Sequence, residues 1–142
     1  MRVRKRFEVA GNRDRAVEIL DQDDTLTGLF PDNETRIVEK DGDRKTIVSH
    51  YRVLGQEGDA TFHFDFLMDG SIRFHKVCDG RVWRELRGEL SLEECGEERV
   101  RICIEMEGST KSLVPEFTIK GPMQDQVEQM SLALKQRIES LG

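Results

Sequence analysis

The side chains in this sequence with the most chemistry to offer are an arginine, a tyrosine and a pair of histidines, all set in strand-like runs. Arg84 follows the turn spelling Cys78-Asp79-Gly80. If that Asp-Gly pair closes a hairpin with a glycine bulge, Arg84 stands opposite Phe74 and shares its face with Phe64. A guanidinium on an apolar face is costly without a partner. It could anchor a carboxylate, phosphate or carbonyl at the end of an apolar molecule. Otherwise it pairs with a neighbouring acid or reaches water along its stem. Tyr51 belongs to the more apolar set Ile47, Ser49, Tyr51 and Val53, so it is expected to face inward and His50 outward. A buried tyrosine hydroxyl finds a hydrogen-bond partner and could donate a proton. His63 and His75 should face each other on the opposite side of the sheet, beside Asp65 and Trp83. Two imidazoles and a carboxylate are metal-ligand types, but a closed site needs about four ligands and a supporting shell. A solvated cross-strand pair is therefore expected, and no metal is assigned. Trp83, placed outward by the same register, is expected to offer a contact surface for a protein partner.

These side chains need a sheet to hold them. Three loops share one form, Lys40-Asp41-Gly42, Met68-Asp69-Gly70 and Cys78-Asp79-Gly80, each between strand-like runs. Glycine takes the left-handed backbone such turns need at little cost. Strands are expected over 2–10, 34–40, 43–54, 60–67, 71–78, 81–92 and 98–107, joined too tightly for crossover helices, so the sheet should be antiparallel. At Met68-Asp69-Gly70 a type I turn with Gly70 as a bulge pairs Phe66 with Ile72 and Phe64 with Phe74. A two-residue loop would pair Phe64 with His75 and scatter the aromatics over both faces, so burial selects the first. The same geometry at the next turn gives inner rows Phe66-Ile72-Leu86, Phe64-Phe74-Arg84 and Phe62-Lys76-Val82. The outer rows are then Asp65-Arg73-Glu85 and His63-His75-Trp83. Lys5 and Lys76 fall near strand ends, where long stems reach water. Leu90, Leu92, Val100, Ile102, Ile104 and Met106 continue the inner face.

Asn12 is placed to cap a short helix through Ala16, Val17, Ile19 and Leu20, and a second short helix or turn covers 24–30 before Pro31. Val127, Met130, Leu134, Ile138 and Leu141 recur at helical spacing and predict a long amphipathic helix from about Pro122, with a preceding turn over 115–120 allowed. Its apolar stripe needs a surface, and the curved inner face of the sheet is the one large candidate. Met106, Met123 and Met130 would line the junction with adaptable sulfur side chains.

Composition narrows the function. At 142 residues the chain is expected to form one domain, 1–142, able to bury a core without staples. A net charge of −6 argues against nucleic-acid binding by phosphate neutralisation. No apolar run approaches the roughly 18 residues that span a bilayer, so no stable membrane insertion is expected. Three cysteines, Cys78, Cys95 and Cys103, without zinc spacing or a leader segment, fit a reduced cytoplasmic protein. Cys103 has no His or Asn in its expected rows to activate it. No Walker or dinucleotide glycine motif occurs, and no cofactor is assigned.

The order strand, two short helices, six antiparallel strands and a long C-terminal helix resembles the START-like, polyketide-cyclase superfamily, also called birch-allergen-like. Local echoes are Phe30-Pro31, Asp69-Gly70-Ser71-Ile72, Leu86-Arg87-Gly88-Glu89-Leu90 and the closing Leu134-Lys135-Gln136-Arg137-Ile138-Glu139. The resemblance spans nearly the whole chain. It implies an α+β helix-grip fold, a curved seven-stranded antiparallel sheet (β-α-α-β6-α) wrapped around the C-terminal helix. It also implies a cavity between sheet and helix for a small hydrophobic or amphipathic ligand such as a lipid or polyketide. Residues expected to meet the ligand are Arg84, Tyr51, Phe64, Phe74, Met106 and Met130. Two alternatives stay open: an enzyme of the cyclase or hydrolase kind using the same cavity, with Tyr51 or His50 as acid or base, and a protein-interaction module with a packed core.

Overall fold

A computed structural model describes the backbone of residues 1–53 and 56–142, and the side chains outside 53–56. The expected inward position of the Val53 side chain therefore lies outside the described residues. Strand β1 (Arg2–Ala10) leads to helix α1 (Arg13–Asp21) and helix α2 (Asp23–Thr27). Six strands follow: β2 (Glu34–Asp41), β3 (Arg44–Val53), β4 (Gln56–Phe66), β5 (Ile72–Lys76), β6 (Trp83–Gly96) and β7 (Arg99–Thr110). Helix α3 (Phe117–Leu141) ends the chain. The strands form one antiparallel sheet in the order β1-β7-β6-β5-β4-β3-β2, so β1, first in sequence, pairs with β7, the last strand.

Local chemistry sets the boundaries. Asn12 accepts from the Arg15 amide at 2.8 Å and starts α1. It satisfies one of the donors a helix N-terminus leaves open. At the β4–β5 turn, the Leu67 amide donates to the Ser71 carbonyl at 2.9 Å and Gly70 has φ +88°. The Asp69 carboxylate takes the Ser71 amide at 2.9 Å and stiffens the loop. The resulting register pairs Phe66 with Ile72 and Phe64 with Phe74, as the aromatic pattern requires. Helix α3 begins five residues before Pro122, which lies inside it at an exposed position.

The second hairpin departs from expectation. Residues 77–82 form a longer connection, and β6 slides by four residues, so Ile72 meets Leu90 and Phe74 meets Gly88. The cause is the Phe74 ring. It occupies the space above Gly88, where a Cβ would lie 2.3 Å from the ring. Only glycine lets that ring seat on the neighbouring strand. An even slide preserves which face each residue takes, so Leu86 and Leu90 remain inward, 6% and 4% exposed. The outer rows become Asp65-Arg73-Glu89 and His63-His75-Arg87, and the first still alternates acid, base, acid.

The core is the inner face of this sheet, with α1, α2 and α3 against it. Val127, Met130, Leu134 and Ile138 are buried beneath α3 together with Met123, whereas Leu141 is exposed. No helix among the described residues is long and apolar enough to cross a membrane.

Candidate functional site between the sheet and the last helix

An aromatic ladder crosses the inner face. Phe30, from the end of the α2 segment, stacks on Phe62 at 5.6 Å between centroids. Phe62 lies 6.4 Å from Phe64, which stacks on Phe74 at 5.2 Å across the β4–β5 pair. The ladder exists because alternate residues of β4 point one way and because Gly88 leaves room for the last ring. Met106 and Met130 are buried in the same core. Tyr51 is half-buried and packs against the edge of the core, its ring lying over Gly58 on the neighbouring strand. His50 points away and pairs with Asp59 at 2.8 Å. Phe64, Phe74, Met106 and Met130 thus come together inside, with Tyr51 towards the rim.

Arg84 does not join them. A bulge between Trp83 and Glu85 changes which residues face inward at this end of β6. Trp83 then pairs with Thr110 and its ring fills the space above Gly108, while Arg84 is exposed. The expected positions of the two are thereby exchanged: the tryptophan packs against the core and the arginine faces out. Arg84 instead lines an outer-face groove of about 860 Å³ with Arg87, Glu85, Glu105 and Glu107. Lys5 pairs with Glu128 of α3 at 3.1 Å, so its ammonium is compensated.

One buried polar atom lacks a partner, and it belongs to a residue that spacing alone did not single out. Gln126 stands on α3 beside the Met123, Val127 and Met130 stripe, and its Nε2 is buried with no hydrogen-bond partner. Among the described residues it is the sole buried side-chain nitrogen or oxygen in that state. Polarity on a mostly apolar stripe was its one sequence signal. The space enclosed by Leu20, Leu26, Phe64, Phe74, Leu90 and Met130 is small, about 10 Å³. That is room for about one water molecule.

On the outer face, His63 and His75 lie 5.1 Å apart, as their register predicts. Thr46 hydrogen-bonds His63 at 2.7 Å. Burial, then the charges of His63 and Arg44, hold the His75 imidazole below its ordinary pKa, against the opposing pull of Asp65. Asp65 is itself engaged by the Arg44 fork at 2.7 and 3.1 Å, which lowers its pKa. No group of three or more metal-ligating side chains occurs among the described residues. The three cysteines are free, and Cys103 sits outward between Arg6 and Ser91.

No protein-family model and no curated protein matches the sequence. Solved structures do match the fold over nearly its whole length. A START superfamily protein from Mycobacterium smegmatis aligns with TM-score 0.79 and 18% identity, covering 99% of both chains. The Zhui aromatase/cyclase from Streptomyces sp. R1128 aligns with TM-score 0.76 and 17% identity, covering 99% of this chain and 92% of the other. A STAR-related lipid transfer protein from Xanthomonas axonopodis gives TM-score 0.68 and 15% identity, covering 96% and 85%. These alignments over nearly the whole chain, together with its seven-stranded antiparallel sheet and long C-terminal helix, give the chain the START-like helix-grip fold.

Proposed function

We propose that this protein binds a small apolar or amphipathic molecule between the inner face of the sheet and α3. The aromatic ladder would pack on the ligand body, Met106 and Met130 would adapt to its outline, and Tyr51 would stand at the rim. Gln126 carries the proposal, although it does not line the present void and would meet a ligand as that space opens along α3. A buried amide donor without an acceptor costs about 1–3 kcal/mol, and a ligand carbonyl or hydroxyl would supply the acceptor. A water molecule would do the same where it fits. The neighbours described as a lipid transfer protein and an aromatase/cyclase support use of this space.

An interior void of about 10 Å³ holds no such ligand as it stands. Binding therefore requires α3 to lift or the methionines to repack. Met123 and Met130, both buried under the helix, are side chains that rearrange at low cost. Trp83 is the single tryptophan and packs on the core, so it can report on this space. Titration with a dibrominated C18 fatty acid should quench Trp83 fluorescence saturably. Gln126→Leu should weaken that binding several-fold without unfolding the chain. Absence of saturable quenching, with the chain folded, would refute the proposal. Turnover of a test ester lost in Tyr51→Phe would instead support a cyclase- or hydrolase-type enzyme at the same place.

The near-absence of free volume favours a second reading, an interaction module with a solid core. Its docking face would no longer centre on Trp83, which is turned inward, but on the charged outer groove. Capture of a partner lost on Arg87→Glu, together with no fatty-acid binding, would select it.

A further inference from the structure

A second concavity, separate from the ladder, lies on the outside of the molecule where α2 meets α3. It has a volume of about 620 Å³. Leu29, Pro31, Leu132 and Ala133 give it apolar walls, and Arg137 reaches into it. Leu132 is 52% exposed on α3, an apolar side chain with no covering element. Arg137 is half-buried. Its Nε donates to Thr25 Oγ1 at 2.7 Å and its Nη2 to Gln22 Oε1 at 2.8 Å. Both acceptors are neutral. No carboxylate lies within 4 Å of this guanidinium among the described residues, whereas Arg4, Arg44, Arg99 and Arg101 all have acid partners.

Two neutral oxygens fix the plane of the guanidinium and leave Nη1 without a partner and the positive charge uncompensated. An oriented, partly desolvated arginine is the usual recogniser of a carboxylate. Asp24 and Asp32 also line the groove, and Asp32 accepts from Gln129 at 3.1 Å. These two acids would repel a nucleotide or any polyanion. Among the described residues Arg137 is the only cation lining the groove, so a ligand matched to it would carry a single negative charge on a short apolar body along Leu132 and Leu29. We infer that the α2–α3 groove is a binding site for a small apolar monocarboxylate, independent of the interior site.

The test uses hexanoate and the uncharged hexanol as probes, followed by NMR of the whole chain. Hexanoate should shift resonances of Leu29, Leu132 and Ala133, with those of Phe64 and Met130 unmoved, and should bind at least 10-fold tighter than hexanol. Arg137→Gln should remove that preference. Because Arg137 also ties α3 to the α1–α2 junction, its loss could disturb folding. Leu132→Glu is the decisive variant: it alters an exposed position and should abolish hexanoate binding while the melting temperature holds. Equal binding of hexanoate and hexanol, shifts confined to the interior, or unchanged hexanoate binding in Leu132→Glu would each overturn the assignment. Shifts confined to the interior would overturn this assignment while supporting the interior site, which Trp83 quenching reads separately.

Discussion

Single glycines and single polar groups decide the character of this interior. Gly88 is the clearest case. An added Cβ would meet the Phe74 ring at 2.3 Å and the Glu105 carbonyl at 2.8 Å. Backbone on one side leaves little room to yield, so Gly88→Ala should destabilise by about 1–3 kcal/mol, measured by urea unfolding. Phe64, 1% exposed and between two rings, should cost about 3–5 kcal/mol on truncation to alanine. Gln126→Leu should act oppositely. It removes an unpaired buried donor and so should raise stability of the ligand-free chain by about 1 kcal/mol or more, while weakening ligand binding. A loss of stability on that change would mean Gln126 has a partner in solution. At this scale the sequence was readable only in part. Phe64 and Phe74 revealed their side by alternation. Arg84 and Trp83 did not, because one bulged residue exchanges their faces and nothing in Val82-Trp83-Arg84-Glu85 marks where the extra residue falls.

Elements were more legible than their pairing. Alternating Arg and Val in β1, the Asn12 cap and the stripe of α3 follow from period and capping chemistry alone. The Met68-Asp69-Gly70 hairpin followed too, since its wrong register would have exposed phenylalanines. The Cys78-Asp79-Gly80 turn misled because Asp79 does take the Arg81 amide at 3.0 Å, a real local turn, but inside a six-residue connection rather than at a tight hairpin tip. Strand register there is set by a ring meeting a glycine one strand away, a long-range fact invisible to local spelling. The cap is testable by itself. Asn12→Ala should cost about 1 kcal/mol, read from the urea midpoint at unchanged slope, and a neutral result would show that α1 is held by packing alone.

For the whole molecule, charge sets the response to acid. Glu8 is held below the usual carboxylate range by Arg99 and Arg101, Asp23 by Lys40 and Lys45, and Asp65 by Arg44. Carboxylates with lowered folded pKa values add stability above their unfolded values, near 4, and lose it as pH falls through the folded ones. His75 has a lowered pKa as well, chiefly through burial. For a histidine this means the unfolded chain takes the proton first, near pH 6.5, so stability falls from there downward until the folded imidazole also protonates. Melting temperature followed from pH 8 to pH 3 should therefore drop in two stages. His75→Gln should flatten the first and Arg44→Ala should shrink the second. A single drop confined to the carboxylate range would show that His75 titrates alike folded and unfolded.

Fold and inner face were thus open to inference from sequence, whereas free volume was not, because a lined cavity and a packed core demand the same apolar residues. Native mass spectrometry of the protein purified from its own host addresses that point most directly. Occupancy of the interior predicts a species heavier than the 16.4 kDa chain by one small apolar molecule. That species should be depleted in Gln126→Leu and retained in Leu132→Glu. A spectrum carrying the bare chain alone, with nothing apolar in a solvent extract of the same sample, would contradict it.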